Sequence, residues 1–422
     1  MIITLVIDNF GATNNGTTVT CMRTASYLQS RGHEVRVIAH VPPEHDDVST
    51  YKILNCPRYH IPIFDKLILD NGMVIAKGDE KQIADFIEGS DIVHLLLPFH
   101  LESQVRKVAK VMGIPVTSAF HCQPENVSFN IHMGHVRWVN SLIYALFKRW
   151  VYRYTRHVHT PSEMMADQMV LHHYKNVIHP ISNGIAPAFV PERVEKDPEF
   201  KDKYLIMMIG RYSGEKRQDL LIKAIGRSRY NDRIQLVLCG QGPLRKKYEK
   251  LSRKYLKNPC LFAFCDQKKL RHFINMADLY VHASDAESEA ISCIEAFACG
   301  LVPVISDSPV SATNHFALDK RCLFKAGDID SLKDRIEFFI EHPEVKEDLS
   351  SKYVEYGKTF SLEGCMGRLE EMFRQAIQDD QEDRKLERAY LSTPKERRLL
   401  RKTAKKIGLE NPTIYTNSVC RK

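Results

Sequence analysis

The chain has 422 residues, enough at roughly 100–200 residues per domain for two or three domains, each with its own core. Its 44% hydrophobic and 27% charged content is that of a soluble globular protein. No apolar run approaches the ~20 residues needed to cross a bilayer, which excludes a transmembrane helix. The net charge of +8 is modest, and leaves nucleic acid, an anionic membrane and phosphate-bearing small molecules open as partners.

The first residues, Met1-Ile2-Ile3-Thr4-Leu5-Val6-Ile7, read as a buried strand rather than a signal peptide, since no basic region or cleavage site accompanies them. Residues 35–39, 91–97 and 115–118 read as further strands, and 16–31 has helical spacing that ends at Gly32. This is the strand–helix–strand pattern of a parallel sheet covered by helices. A second series of strands follows at 204–209, 234–239, 279–283 and 301–305. The polar stretch 187–202 reads as the linker between the two series. The expected fold is therefore α/β, with two Rossmann-like, doubly wound domains (1–186 and 187–360) and a cleft between them. One closing helix is expected over 361–378. A charged, basic C-terminal tail over 379–422 is expected to lie outside both cores. Within it Lys395, Arg397, Arg398, Arg401, Lys402, Lys405 and Lys406 accompany Leu399, Leu400, Thr403 and Ile407 at helical spacing, as in a basic helix that forms on a surface. The eleven cysteines are scattered without zinc-site spacing and read as reduced thiols.

The sharpest chemical cluster is Ser284-Asp285-Ala286-Glu287-Ser288-Glu289-Ala290-Ile291, continuing through Glu295 to Gly300. It follows a strand, passes a polar loop and enters a helix near Ala290 that Gly300 stops. Open N–H groups at Ala290 and Ile291 would favour an anion such as a diphosphate. Glu287 in the loop and Glu295 in the helix could take hydroxyls on either side. A solvated acidic loop before an ordinary helix has the same spacing. The second cluster, Gly210-Arg211-Tyr212-Ser213-Gly214-Glu215-Lys216-Arg217, sits at a strand's C-terminal end, where open α/β sheets bind ligands. Arg211 and Lys216 are suited to stabilising a leaving diphosphate, although the same run could be a basic loop in water. Gly240 and Gly242 allow close backbone approach. In the first domain, Asn14-Asn15-Gly16-Thr17-Thr18 links a strand to its helix. There Gly16 either lets amides touch a phosphate or simply opens the helix. His121 follows another strand end, facing the cleft or filling the core. Ser182-Asn183-Gly184 reads as a turn.

Taken in order, these clusters resemble the retaining glycosyltransferases of family 4, which have the GT-B fold. Glu287 and Glu295 match that family's E-x7-E motif, and Gly210-Arg211 with Lys216 matches its G-R…K pair. Asn15-Gly16, His121 and Ser182-Asn183-Gly184 fall at the family's places, and the resemblance covers about residues 1–378. It implies that Arg211 and Lys216 hold the diphosphate, Glu295 the ribose and Glu287 the transferred sugar. Gly16 and the amides near Ala290 and Ile291 would complete the phosphate site, and His121 would lie near the sugar's C6 hydroxyl and the acceptor. No metal and no cofactor beyond the nucleotide-sugar co-substrate is implied. Retention is implied, with the leaving phosphate taking the acceptor's proton.

The sequence departs from the family where E-G-F-G reads Glu287-Ser288-Glu289-Ala290, which alters the pocket beside the sugar. It also departs in the base loop around Phe264-Cys265-Asp266. UDP-glucose is the first expected donor. The segment 120–126 is similar to a bacterial subgroup that glucosylates diacylglycerol. Residues 140–154 mix Leu142, Ile143, Leu146, Phe147 and Trp150 with Lys148, Arg149 and Arg153, as in a helix at a membrane interface or a core helix with a basic edge. The expectation is a cytoplasmic glycosyltransferase, peripheral on the membrane's inner face, that moves a hexose to a lipid and binds no nucleic acid. Its rivals are the same fold acting on a polysaccharide or soluble acceptor, and a non-catalytic binder of sugar nucleotides or nucleic acid.

Overall fold

The structure is a computed structural model. It describes the chain except residues 12–15, 43–49, 61, 63–64, 66–73, 131–132, 135, 391–392 and 420–422, so Asn14 and Asn15 lie outside the described residues. The chain forms two compact units, one of residues 1–181 with 366–422 and one of residues 182–365.

Unit 1 is built on β1 (Ile2–Asn9), β2 (Glu34–His40), β3 (Lys52–Asn55), β4 (Ile92–Leu95), β5 (Val116–Ala119), β6 (His157–Thr160) and β7 (Val177–Pro180). The order is β3-β2-β1-β4-β5-β6-β7 and every pairing is parallel. The apolar run of β1 is almost wholly buried, as a strand covered on both faces requires. The helices are α1 (Gly16–Ser30), α2 (Glu80–Ile87), α3 (His100–Met112), α4 (Pro124–Asn130), α5 (Arg137–Trp150) and α6 (Glu163–Leu171).

Unit 2 is built on β8 (Tyr204–Ile209), β9 (Ile234–Cys239), β10 (Leu261–Ala263), β11 (Leu279–His282), β12 (Pro303–Ser306) and β13 (Leu323–Phe324), in the order β10-β9-β8-β11-β12-β13 and again parallel. Its helices are α7 (Gln218–Arg227), α8 (Arg245–Tyr255), α9 (Gln267–Met276), α10 (Ile291–Ala298), α11 (Ile329–Glu341) and α12 (Pro343–Lys358). In each sheet the strand order reverses once, between β1 and β4 and between β8 and β11. At such a switch point the loops after the two central strands diverge and leave a crevice at the strand ends, where ligands bind.

The expected boundary at 186/187 falls a few residues earlier, because Ser182–Ile185 is tied into unit 2. Ile185 N–H donates to Phe360 O at 2.9 Å, and Ser182 and Asn183 donate to Glu289. The closing helix is also longer than expected: α13 runs over Leu362–Lys385. From Met366 onward it belongs to unit 1, where Glu370 meets His33 at 3.0 Å and Asp379 meets His157 at 2.9 Å.

The expectation of a tail outside both cores is corrected. A helix α14 (Pro394–Ile407), capped by Thr393 and stopped by Gly408 in the left-handed conformation, packs on α3. Val111, Leu400 and Ala404 form a small core of their own, and β14 (Arg388–Tyr390) pairs with β15 (Asn417–Val419). The helical spacing was legible, but its apolar face is already covered by α3. The exposed face carries Arg398, Arg401, Lys402 and Lys405 with Leu399 among them.

Candidate active site

The switch point of unit 2 brings together Lys216 and Glu287, two of the residues that the sequence singled out. Beyond β8 the chain runs through Gly210 and Arg211 into a short turn, Gly214–Lys216. Tyr212 is buried and donates its hydroxyl to Leu238 O at 2.8 Å, which pins this loop to the sheet. The glycines at 240 and 242 serve this packing: a Cβ would lie 2.0 Å from Gly210 O at the first and 2.5 Å from Tyr212 O at the second. The close approach expected there is therefore one of backbone to backbone.

Beyond β11 the chain passes through Asp285 and Glu287 into α10. Arg217, at φ 57, reaches from the first loop to both oxygens of Asp285 at 3.0 and 3.2 Å, and Asp285 N–H donates to Glu215 O at 2.7 Å. The two loops are thus docked on one another, and Lys216 meets Glu287. The Lys216 ammonium lies 2.5 Å from Glu287 Oε1, and His282 Nε2 lies 2.9 Å from the same oxygen. His282 is itself buried and bonded to the Tyr280 hydroxyl at 3.1 Å. Burial raises the Glu287 carboxyl, but the Lys216 charge and the His282 hydrogen bond outweigh it and hold the group well below the usual carboxylate range.

Ala290 caps α10 in the left-handed region, at φ 66 and ψ 64, where a Cβ costs roughly 1 kcal/mol that glycine avoids. Among the described residues the N–H groups of Ala290 and Ile291 have no protein partner. They form the open end of a helix dipole, suited to an anion. Glu295 is buried inside the same helix.

Glu289, expected to reshape the sugar pocket, is committed elsewhere. It is buried and accepts from Ser182 Oγ, Asn183 N and Asn183 Nδ2, binding the Ser182–Gly184 turn to the motif loop. Sequence reasoning missed His282, and it named Arg217 and Asp285 within their clusters without the ion pair that docks the two loops. The available signal for His282 was its place at the end of a strand beside the switch point.

In unit 1, His121 follows β5 and packs edge-on against His159 with ring centroids 5.1 Å apart. Burial, followed by the charges of His159 and His94, pushes His121 well below its ordinary value, so it is neutral at pH 7. Gly16 opens α1, and an added Cβ there would meet nothing. His121, Thr17 and Thr18 line one pocket. Unit 2 therefore collects Arg211, Lys216, Glu287, Ala290, Ile291 and Glu295, while Gly16 and His121 belong to unit 1. Among the described residues no group of three His, Cys, Asp or Glu is placed to hold a metal ion.

Two parallel sheets, each with one switch point in its strand order, define a two-domain α/β class. Residues 14–189 match the family model Glycosyltransferase Family 4, and residues 190–359 match Glycosyl transferases group 1. The chain belongs to the family 4 glycosyltransferases, with the GT-B fold. It is similar to a GDP-mannose-dependent alpha-mannosyltransferase of Corynebacterium glutamicum, 24% identical over 72% of this chain and 72% of that protein. It is likewise similar to the alpha-monoglucosyldiacylglycerol synthase of Streptococcus pneumoniae, 23% identical over 89% of this chain and 86% of that protein. The structure of sucrose-phosphate synthase from Thermosynechococcus elongatus shares the fold, with a TM-score of 0.69 and 15% identity over 89% of this chain and 99% of that one.

Proposed function

We propose that this glycosyltransferase moves a hexose, glucose in the first instance, from a UDP-sugar to a membrane lipid such as diacylglycerol, with retention of configuration. The observation that carries the reading is the assembly of Lys216, Glu287 and His282 beside the open amides of Ala290 and Ile291 at one switch point. That arrangement suits a departing diphosphate, whose growing charge the ammonium and the helix N-terminus stabilise. Glu287, held as a strongly stabilised carboxylate by Lys216 and His282, is a weak base and a weak nucleophile. The reading therefore gives the acceptor's proton to the leaving phosphate. The relative named for glucosylating diacylglycerol supports the lipid acceptor, and the one named for GDP-mannose keeps a mannosyl donor as the second reading.

The two carboxylates separate binding from transfer. Glu295→Gln is expected to weaken UDP binding about tenfold, since a ribose contact persists from ground state to transition state. Glu287→Gln is expected to leave UDP affinity within a few-fold and to cut transfer about 100-fold, since it disturbs Lys216 and the sugar. Titration calorimetry with UDP alongside a transfer assay checks both, and the opposite pattern would exchange the two roles.

No helix among the described residues is long and apolar enough to cross a membrane, so the reading needs a surface that docks. With the apolar face of α14 taken, α5 is the candidate. It exposes Trp138 (67%), Leu142 (52%) and Trp150 together with Arg137 and Arg149, and Arg153 is exposed in the turn that follows. Lys148 donates to His173 O at 2.6 Å, which brings the exposed Val170 and Leu171 of α6 alongside. Large apolar groups framed by basic ones suit an anionic interface. A Trp138→Ala, Leu142→Ala double variant is expected to sediment with anionic vesicles at least tenfold more weakly, with its melting temperature kept because both side chains face solvent. Unchanged sedimentation would remove α5 as the anchor.

A further inference from the structure

Unit 1 also holds a charged cavity that neither the donor site nor the His121 pocket uses. It lies where β5 and β6 begin, beside Ile114 and His157. The two strands are parallel, so this is the sheet edge opposite the strand ends that carry His121. The end of α13 closes it together with residues 388–390, Thr413 and Tyr415, so the segment expected to be a free tail forms part of its wall. Its volume of about 80 Å³ is room for roughly two or three waters or one tetrahedral oxyanion, and is far too small for a sugar nucleotide.

Arg106, Lys110, Arg156, Arg384 and Arg388 line the cavity against two carboxylates, Asp380 and Asp383. Three of the cations are paired: Arg106 with Glu396, Arg156 with Asp379 and Asp383, and Arg384 with Asp380. Arg388 is left with Asp383 at 3.8 Å, which Arg156 already holds at 3.0 Å, and its Nε has no acceptor among the described residues. Lys110 has less. Among the described residues its ammonium makes no ion pair and one hydrogen bond, to Tyr390 O at 3.3 Å. Burial, followed by the charge of Arg106, pushes Lys110 down to about 8, so it keeps its proton at pH 7. A buried ammonium with donors to spare and no counter-charge is costly unless an anion answers both. The guanidinium groups beside it favour an oxyanion, whose several oxygens take N–H bonds from more than one side.

We propose that this cavity binds phosphate, free or as the monoester head of a lipid, with Lys110 and Arg388 as its principal ligands, and that the bound group ties the C-terminal segment to α3 and α13. The site is independent of the sugar-transfer reading. Binding of inorganic phosphate to the full-length protein is measured by titration calorimetry at constant ionic strength, with a melting curve at each concentration. The wild-type protein is expected to bind phosphate saturably and to melt higher as the site fills, while chloride does neither. Lys110→Met keeps the packed stem without the charge. It is expected to weaken phosphate binding about tenfold or more, and to melt no lower than wild type without phosphate, because it removes an uncompensated charge. Arg388→Gln, at a half-buried position, should weaken binding several-fold. Lys216→Ala should bind phosphate as the wild type does. A titration with dioctanoyl phosphatidic acid, competed by inorganic phosphate, separates a lipid head group from the free ion, and either source upholds the site. No saturable binding, equal stabilisation by chloride, or unchanged phosphate affinity in Lys110→Met would overturn the proposal. So would loss of phosphate binding in Lys216→Ala, or a Lys110→Met protein that melts lower without phosphate.

Discussion

Lys216→Ala is expected to lower turnover on the order of 100-fold or more, the scale seen when a preorganised charge is removed from a developing anion. Lys216 sits on a short turn at the end of β8, and its ammonium is fixed by Glu287 before any donor arrives. On the proposed reading a diphosphate leaves beside Lys216, this placement costs no reorganisation at that step, and the loss should appear in turnover more than in substrate affinity. The substitution also removes the ionic partner of a buried carboxylate. His282 keeps one hydrogen bond to Glu287, so the stability loss should be about 1–3 kcal/mol rather than that of a fully orphaned charge. A steady-state assay of the folded variant, with a melting curve, checks both. Near-normal turnover would remove Lys216 from the leaving-group site.

Arg106→Ala is expected to have the largest effect on stability. Arg106 on α3 and Glu396 on α14 meet at 2.5 Å, with side chains 2% and 1% exposed. The guanidinium also stacks over Tyr154, 4.3 Å from its ring centre. Removing one member of a buried pair strands the other, at a cost of roughly 3–5 kcal/mol. Denaturant unfolding should register that loss in unit 1. Truncation after Asp380 should do the same, because it takes away Glu396 together with the buried Leu400 and Ala404. A truncated protein with unchanged unfolding would show that α14 is dispensable.

Much of this was legible in the sequence. The long apolar runs of β1, β2, β8 and β9 announce both sheets, and the order of Gly210-Arg211, Lys216, Glu287 and Glu295 announces the site. The short strands β3, β6 and β7 were not legible. β6 reads His157-Val158-His159-Thr160, a polar run buried only because its histidines find tertiary partners: His157 meets Asp379 at 2.9 Å and His159 meets Ile181 O at 2.6 Å. The fate of α14 was hidden for a related reason. Amphipathic spacing shows that a face will be covered, and the partner, here α3, lies 290 residues away in sequence for the pair Arg106 and Glu396. Glu289 looked like a change in a sugar pocket because its place in the motif was visible, while its hydrogen bonds to Ser182 and Asn183 span 107 and 106 positions.

The most direct test of the account is mass spectrometry of the lipid products formed by the full-length protein on vesicles containing diacylglycerol and an anionic phospholipid, with UDP-glucose and GDP-mannose supplied in separate reactions. The account predicts a product one hexose heavier than diacylglycerol from UDP-glucose, with an α-linkage by enzymatic digestion, and its loss in the Lys216→Ala protein. Transfer from GDP-mannose alone, a β-linked product, or a hexose found only on soluble or water as acceptor would contradict it.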